Sequence, residues 1–475
     1  MKVRLVSVYN LFESPPIGLA SLSTYAKEYG GFKPEIVDGY YCRDLFKKIQ
    51  QDKPDLVGIT SDSVLYEDAT VLAKRIKEEM DLSIVVGGPH ITTLPQSLRP
   101  VFDAGIIGEG EQTFLEVLES FESRGSLDGG KEIKGLVYWR KKKLEFSAPR
   151  ELIMPLDKIP PIDYSLLDKR HFRRKPLSFD YRPGIEGNMF TSRGCPYRCV
   201  FCSGAQLYKH PRFFSVDHVI EEMKTLIEKY GCNHIQIWDD MYTISKKRMR
   251  DIAQKMKEER VQERCVFSVQ GRVNHIDKEV CDILKDTGVT MLSFGFESGS
   301  DRILRYLKKE SVSAEDNRKA IRLCREAGFY IAGSLIFASP GEKLEDMKKT
   351  LEFMEYAQKE GVMNMRCYIL TPFPRTDVWE IAKARGLVSE EMDFRKLGMF
   401  NIEDPPFLDP GINKGEFKKL FDMATKKGYQ MSGGVRRMFL AKLADEPLNV
   451  IKRALRNPRR AVAYLRNLFG RRDLS

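Results

Sequence analysis

The chain has 475 residues, of which 42% are hydrophobic and 31% are charged, a balance typical of proteins with two or three cored domains. No segment approaches the ~20 consecutive apolar residues that span a bilayer, and the N-terminus lacks the apolar run of a secretory signal, so we expect a cytoplasmic protein. The net charge of +11 is concentrated in residues 431–475, where eleven Lys and Arg stand against three Asp and Glu, so charge does not indicate a nucleic-acid groove across the rest of the chain.

Short β-rich runs alternate with helical patterns in the N-terminal quarter of the chain. We predict strands at residues 3–8, 35–37, 56–59, 83–86 and 105–107, with amphipathic segments such as 68–80 between them. This alternation predicts a parallel sheet with right-handed crossovers. Ligands of such sheets bind at the carboxyl ends of the strands, and the turns at those ends are rich in Gly, Pro and Ser.

A second βα series begins near residue 187, after a predicted hairpin at 135–146. Its predicted strands are 188–191, 234–238, 265–270, 291–295, 331–337 and 364–369, and helical patterns such as 216–230, 278–287 and 314–327 separate them. Six such units predict a partial, TIM-like (β/α)6 barrel with its catalytic groups at the strand C-termini.

The predicted fold class is therefore α/β, in four parts. A Rossmann-like domain covers residues 1–146, and a Pro-rich linker covers 147–186. The barrel covers 187–405. A helical C-terminal region covers 406–475 and ends in a basic amphipathic tail at 435–472.

Three of the nine cysteines lie within eight residues, as C-x3-C-x2-C: Cys195, Cys199 and Cys202. Three thiolates on one loop are suited to a [4Fe–4S] cluster that keeps one iron open, whereas clusters without a substrate site ordinarily have four thiolates. Structural zinc is the competing interpretation, with His210 as a fourth ligand, although no second close cysteine pair occurs. Most of the other six cysteines are expected to be buried small hydrophobes: Cys42, Cys232, Cys265, Cys281, Cys324 and Cys367.

The cysteine motif, with the aromatic Phe201 before its last cysteine, resembles that of the radical S-adenosylmethionine superfamily. The resemblance implies that a [4Fe–4S] cluster on the three cysteines binds S-adenosylmethionine and cleaves it to a 5′-deoxyadenosyl radical. It also implies an electron donor such as ferredoxin or flavodoxin. The protein then supplies positioning, electron delivery and exclusion of water.

Further segments resemble the superfamily strand by strand across residues 187–375. The resemblance implies that Asp239 and Asp240 hold the methionine amine, that Arg272 faces a carboxylate, and that Glu297 and Ser298 contact the ribose or the methionine. A purely structural interpretation stays open for each position, since acidic and hydroxyl side chains also build turns and cap helices.

The N-terminal third resembles the cobalamin-binding domain attached to many radical S-adenosylmethionine enzymes, through residues 16–22, 85–90 and 108–114. The cofactor contacts that this implies are Gly18, Ser61, Gly87, Gly88, Gly108 and Glu109. The loop after the first strand has no histidine to ligate cobalt, so an alternative is a domain that kept the fold and lost the cofactor. His90 is expected to be a hydrogen-bonded polar group beside the glycine loop rather than a metal ligand.

The basic tail predicts two amphipathic helices broken at Pro458. A tail of this kind can lie on an anionic membrane surface, which here is the inner face of the membrane. It can also pack on the barrel, and binding of a nucleic-acid backbone ranks lowest of the three, since no RNA-binding module accompanies the tail.

The leading hypothesis is a cobalamin-domain radical enzyme that methylates, cyclises or joins carbons of a lipid, an isoprenoid or another apolar small molecule. One alternative is a methylthiotransferase-like modifier of tRNA or a ribosomal protein, which would carry three N-terminal cluster cysteines where this chain has only Cys42. The other alternative is a non-enzymatic cobalamin or metal sensor. The sequence leaves substrate and oligomeric state open.

Overall fold

The structure is a computed structural model that describes residues 1–8, 13–126, 132–176, 183–399 and 403–431. It divides into two compact units. The first unit contains residues 1–171, 202–222 and 372–398, and the second contains residues 172–201, 223–371 and the described residues from 399 onward.

The strands and helices follow in chain order. The strands are β1 (Val3–Ser7), β2 (Glu35–Asp38), β3 (Leu56–Thr60), β4 (Ser83–Gly87), β5 (Ala104–Ile106), β6 (Leu136–Arg140), β7 (Lys143–Phe146), β8 (Lys175–Pro176), β9 (Pro183–Gly184), β10 (Glu186–Met189), β11 (Ser192–Arg193), β12 (Arg212–Phe213), β13 (His234–Ile237), β14 (Val266–Gly271), β15 (Val289–Glu297), β16 (Tyr330–Phe337) and β17 (Asn364–Ile369). The helices are α1 (Ile17–Gly30), α2 (Leu45–Asp52), α3 (Tyr66–Met80), α4 (Pro89–Thr93), α5 (Gly110–Arg124), α6 (Ser203–Leu207), α7 (Val216–Tyr230), α8 (Lys246–Glu258), α9 (Lys278–Asp286), α10 (Asp301–Lys308), α11 (Ala314–Glu326), α12 (Leu344–Lys359), α13 (Asp377–Ala384) and α14 (Lys414–Met431).

The first unit is built on a seven-stranded sheet in the order β2-β1-β3-β4-β5-β6-β7. The strands from β2 to β5 pair in parallel, and β6 and β7 add an antiparallel hairpin at the edge. The hairpin turns at Lys141 and Lys142, which both have positive φ, as two-residue hairpin turns require.

The core of this sheet comes from the apolar faces that the sequence pattern predicts. Val3, Leu5, Leu56 and Val85 pack against Phe114 of α5 and are at most 2% exposed. Central strands of a parallel sheet are covered on both faces, so their sequences are nearly continuous apolar runs. The polar residues that follow β3, β4 and β5 therefore gather along the carboxyl edge of the sheet.

The second unit contains a six-stranded sheet in the order β10-β13-β14-β15-β16-β17. All its pairs are parallel, and neighbouring strands follow one another along the chain. Within the described residues the sheet has two free edge strands, β10 and β17, which agrees with the predicted partial barrel. Helices α8, α9, α11 and α12 bury one apolar face each, as in α9, where Val280, Cys281, Ile283 and Leu284 are buried.

The two parallel sheets confirm the predicted fold class, and the strand positions agree with the prediction to within a few residues. The largest differences are two residues at each end: β10 is observed at Glu186–Met189 and was predicted at 188–191, and β15 is observed at Val289–Glu297 and was predicted at 291–295. The predicted limits of the four sequence regions remain a prediction. The predicted tail helices at 435–472 lie outside the described residues, and no described helix is long and apolar enough to cross a membrane.

Candidate functional site

The cysteine loop begins immediately after the short strand β11, which follows β10 of the barrel sheet along the chain. It starts at Gly194, whose φ of +97° suits a residue without a Cβ. In the second unit, Cys195 is half-buried and Cys199 is buried at 7% exposure. The amide of Val200 donates to the carbonyl of Leu307 at 3.1 Å, so the loop is tied to the end of α10. Cys202, which is half-buried, is the residue that precedes α6 in the first unit.

Arg272 is the cationic side chain beside these thiols. Its Nη1 lies 3.5 Å from the Sγ of Cys199, its Nη2 donates to Ser311, and its guanidinium lies 3.8 Å from the ring centroid of Tyr197. The side chain is 6% exposed, so a positive charge is held in a poorly solvated position next to sulfur. This cation is suited to compensate negative charge on a thiolate.

Burial and neighbouring groups act in opposite directions on the pKa of the first cysteine. Desolvation raises the pKa of the Cys195 thiol, the amide of Tyr197 opposes that increase, Asp240 adds to it, and the Arg272 cation opposes it to a smaller degree. A thiol of this kind needs a further positive partner, such as a metal ion, to be held as thiolate.

Asp239 and Asp240 bind the backbone that leads into the cysteine loop. Asp239, 1% exposed, accepts hydrogen bonds from the amide and hydroxyl of Thr191 and from the amide and hydroxyl of Ser192, at 2.5–3.0 Å. The exposed Asp240 accepts from the amide of Gly194 at 3.0 Å. Both carboxylates therefore shape the loop, and their role toward a methionine amine stays a prediction.

Glu297 and Ser298 are buried at the end of β15. Glu297 has a φ of +60° and forms an ion pair with Nζ of Lys308 at 2.9 Å, in which both side chains are at most 8% exposed. Ser298 is fully buried, and its hydroxyl lies 3.0 Å from that of Thr350. Strained backbone at a non-glycine residue is frequent at functional sites, and the predicted ligand contacts of these two residues remain a prediction.

Lys308 was not predicted from the sequence. Its Nζ lies 5.8 Å from the ring centroid of Phe201, the aromatic residue of the cysteine motif. In the sequence it stands in a run of charged residues at the end of a helical pattern, where a solvated position is the ordinary expectation. Only the fold shows that it is 8% exposed.

The donor set of the loop fits an iron–sulfur cluster. All three residues are thiols rather than disulfide-bonded cysteines, Arg272 lies beside the thiol of Cys199, and thiolate sulfur is the ordinary ligand of such clusters. Within the described residues, no three His, Cys, Asp or Glu side chains are arranged to hold a metal ion. The fit thus rests on donor chemistry and spacing, and the ligand assignment remains a prediction. Burial is confirmed for five of the other six cysteines, and Cys42 is half-buried.

The carboxyl edge of the first sheet holds the predicted cobalamin contacts that follow β3, β4 and β5. Ser61 is buried, and its amide donates to the carbonyl of Gly87 at 3.1 Å. Gly88 has a φ of +96°, and a Cβ there would lie 2.7 Å from the hydroxyl of Thr60. Gly108 has a φ of +83° with no atom within 4 Å of a Cβ position.

Two glycines of this edge have different steric roles. Gly88 lets two loops approach each other, and Gly108 leaves free space where other residues have a side chain. Gly18, at the start of α1, is also exposed with open space beside it. Contact of these residues with cobalamin remains a prediction.

Glu109 has a partner that the sequence did not indicate. Its carboxylate forms a two-point ion pair with the guanidinium of Arg212, at 2.8 and 2.9 Å. The two residues are 103 positions apart, and sequence pattern alone offers no signal that joins them.

His90 is a satisfied core histidine, which confirms the prediction. Its two ring nitrogens lie 3.0 Å and 2.8 Å from the hydroxyls of Ser63 and Ser97. Its ring stacks on Tyr66 at 3.9 Å and meets Phe394 edge-on at 4.4 Å. Burial, with a smaller effect of a nearby arginine, lowers the pKa of His90 to about 3, so the ring is neutral at physiological pH.

Two family models match successive parts of the chain. The family model of the radical SAM superfamily matches residues 189–354, and that of the B12 binding domain matches residues 3–118. The fold is also similar to that of the radical S-adenosylmethionine methyltransferase TsrM of Kitasatospora setae, solved with cobalamin and a [4Fe–4S] cluster bound. The TM-score is 0.68 at 21% identity, covering 90% of this chain and 88% of that one.

Two curated relatives cover most of the chain. The hopanoid C-3 methylase of Methylococcus capsulatus is 25% identical over 76% of this chain and 66% of its own length. An uncharacterized methyltransferase of Pyrococcus horikoshii is 34% identical over 93% of both chains. With both domains matched in order, the chain belongs to the cobalamin-binding radical S-adenosylmethionine enzymes, whose cofactors are a [4Fe–4S] cluster, S-adenosylmethionine and cobalamin.

Proposed function

We propose that this enzyme holds its [4Fe–4S] cluster on Cys195, Cys199 and Cys202 and methylates an unactivated carbon of a lipid or another apolar small molecule. The observation that carries the ligand assignment is the C-x3-C-x2-C loop with Arg272 3.5 Å from the thiol of Cys199. A buried guanidinium beside the thiol of Cys199 would stabilise negative charge on thiolate ligands at this position.

Each group near the loop has a distinct part in this proposal. When bound, the cluster supplies the electron that cleaves S-adenosylmethionine, and cobalamin supplies a methyl carrier. The protein fixes the loop through Asp239, compensates charge on sulfur through Arg272, and keeps water away by burying Cys199. Such exclusion of water protects a reactive intermediate from side reactions.

Methylation and an apolar substrate are supported by different observations. Two relatives are named as a methyltransferase and a hopanoid methylase, which supports methyl transfer. The basic segment 435–472 supports contact with an anionic membrane, where a lipid substrate is concentrated. The electron donor is expected to be a ferredoxin or flavodoxin.

The ligand assignment is tested with Cys199→Ala. The wild-type protein, purified without oxygen, should carry about four irons per chain and convert S-adenosylmethionine to 5′-deoxyadenosine after reduction. The variant should lose both the iron and the cleavage. Cys367→Ala is the matched control, since Cys367 is a buried thiol of β17 outside the loop. A Cys199→Ala protein that still cleaves S-adenosylmethionine would refute the assignment.

The substrate class is tested by mass spectrometry of total lipids. Cells that express the wild-type protein should contain lipids with one added methyl group, and cells that express Cys199→Ala should lack them. Identical lipid profiles, with a purified enzyme that cleaves S-adenosylmethionine, would contradict the lipid assignment while leaving the cofactor chemistry intact.

A further inference from the structure

The ion pair between Glu109 and Arg212 is closed to solvent. Both side chains are at most 6% exposed, and both carboxylate oxygens and both terminal guanidinium nitrogens take part. Two parallel N–H···O bonds define the orientation of the partners as well as their distance. A lysine cannot reproduce this geometry.

The backbone of Ile153 completes the pair. Its amide donates to Glu109 at 2.9 Å, and its carbonyl accepts from Arg212 at 3.0 Å. The pair therefore connects three chain segments of the first unit: the loop between β5 and α5, the Pro-rich segment after β7, and β12. A buried charged side chain is stable only when its partners are present, because an unpaired buried charge is strongly destabilising.

The segment that carries Arg212 begins at a predicted cluster ligand. Cys202 precedes α6 directly, and Arg212 follows ten positions later in β12. Other contacts attach the same segment to the first unit. Ser203 donates to the carbonyl of Pro374 at 3.1 Å, and the amide of Ser215 donates to Asp157 at 2.8 Å.

Glu109 also lies in the short loop between β5 and α5, next to Gly108. It is the residue before α5, and Gly108 leaves open space beside it. The side chain of Glu109 thus belongs to the predicted cobalamin edge and also binds, through Arg212, the segment that starts at Cys202.

We propose that Glu109 and Arg212 are positioning residues for the radical chemistry: their ion pair fixes the segment that bears Cys202 to the carboxyl edge of the cobalamin-type sheet. The inference rests on the proposed assignment of Cys202 as a cluster ligand. It goes beyond that assignment because it gives Glu109 a role in positioning: Glu109 holds Arg212, and Arg212 lies on the segment that begins with Cys202.

The test compares Arg212→Lys with Arg124→Lys. Arg124 forms an exposed ion pair with Glu132 at the end of α5, so the control makes the same chemical change without a buried partner. Both proteins are purified without oxygen, and iron is counted. The EPR spectrum of the reduced cluster is then titrated with S-adenosylmethionine, and amide exchange at Ile153 is followed by mass spectrometry.

We expect both variants to keep the wild-type iron content. In Arg212→Lys the concentration of S-adenosylmethionine that produces half of the spectral change should rise about tenfold, since small misplacements of a binding group have large effects. Exchange at Ile153 should also accelerate. The control should match the wild type in both measurements.

If Arg212→Lys does not accumulate as folded protein, the double variant Glu109→Met and Arg212→Met replaces both charges with side chains of similar volume, and the same shift is expected. A folded, iron-loaded variant with the wild-type titration and wild-type exchange at Ile153 overturns the inference alone. A wild-type protein that takes up no iron overturns the proposed function, and the inference with it.

Discussion

Buried polar side chains surround the cysteine loop, and each has a specific partner. Asp239 accepts four hydrogen bonds from Thr191 and Ser192, and Glu297 pairs with Lys308. Removing one partner of a buried ion pair lowers the free energy of unfolding by ~3–5 kcal/mol, because it leaves an uncompensated charge. The loop therefore depends on residues that do not themselves have to touch a cofactor.

Glu342, which follows β16, is a buried carboxyl whose hydrogen bonds do not offset the cost of its burial. Its Oε2 accepts from the amide of Ser339 at 2.9 Å, and its Oε1 has no partner within the described residues. Desolvation by burial, and to a lesser degree the charge of Asp346, raise the pKa of Glu342 from 4.5 to about 8. The fold therefore favours the protonated carboxyl.

Replacing Glu342 with Gln should flatten the dependence of stability on pH. Because the folded-state pKa lies above the unfolded value, the wild type loses stability as the pH rises from about 4.5 to about 8, by up to about 1.4 kcal/mol per pH unit. Glutamine does not ionise. We expect the free energy of unfolding of Glu342→Gln, relative to that of the wild type, to increase by about 1–3 kcal/mol between pH 6 and pH 8. Urea unfolding of both proteins at the two pH values measures this difference.

The exposed Glu345, in the first turn of α12, provides the control. Glu345→Gln should leave the pH dependence of the wild type unchanged. Parallel stability curves for Glu342→Gln and the wild type would contradict the raised pKa.

At the residue scale, the sequence indicated the cysteine loop itself more clearly than the buried side chains that pack around it. The spacing of the three cysteines in one short motif predicted a cluster loop, and the resemblance of that motif added Phe201; their roles remain a prediction. Arg212 and Lys308 could not be identified, because an arginine or lysine in a charged stretch is normally solvated. Their burial depends on chain segments that are distant in sequence.

Among the secondary-structure elements, the turn from β4 to α4 combines a close steric contact with a positive φ. A Cβ on Gly88 would lie 2.7 Å from the hydroxyl of Thr60 and 2.8 Å from the carbonyl of Ser61, and the φ of +96° is unfavourable for other residues. The close approach of these two loops depends on the missing side chain.

Gly88→Ala should lower the free energy of unfolding by about 1–3 kcal/mol, seen as a lower urea midpoint of the iron-free protein. Gly18→Ala is the comparison, because Gly18 lies in α1 with open space beside it, and alanine there should stabilise by about 0.5–1 kcal/mol. Equal midpoints for Gly88→Ala and the wild type would show that the loops can separate at no cost.

The elements themselves were largely predictable. Apolar runs such as those of β3 and β4, placed between amphipathic helices, have few alternatives to a buried parallel strand. Strand limits were less certain, as at β10, predicted at residues 188–191 and observed at Glu186–Met189. Hydrogen bonding to the neighbouring strand sets these limits, and the pattern of apolar residues does not encode it.

For the whole molecule, the basic C-terminal tail is the feature most open to a direct test. A protein that ends at Gly434 should bind anionic liposomes at least about a hundredfold more weakly than the full chain, since each basic residue near such a surface contributes ~1 kcal/mol. Cosedimentation measures this difference, with neutral liposomes as the control. Equal binding of both proteins would show that the tail is not the membrane contact.

The division of the chain into units could not be predicted from the sequence. Residues 202–222 and 372–398 belong to the first unit although they follow the cysteine motif or the last barrel strand. Hydrophobic periodicity reports which face of a helix is buried but not which neighbour buries it. Long-range pairs such as Glu109 with Arg212 are visible only in the folded chain.

The aromatic contact of Phe394 with Tyr66 and His90 has a consequence for synthesis of the chain. Arg99 also donates to the carbonyl of Met392. The ribosome adds about 5–20 residues per second, so Tyr66 and His90 leave it tens of seconds before their last partner is made. We therefore expect the rings of Tyr66 and His90 to stay uncovered by Phe394 on the nascent N-terminal sheet until the barrel sequence is nearly complete.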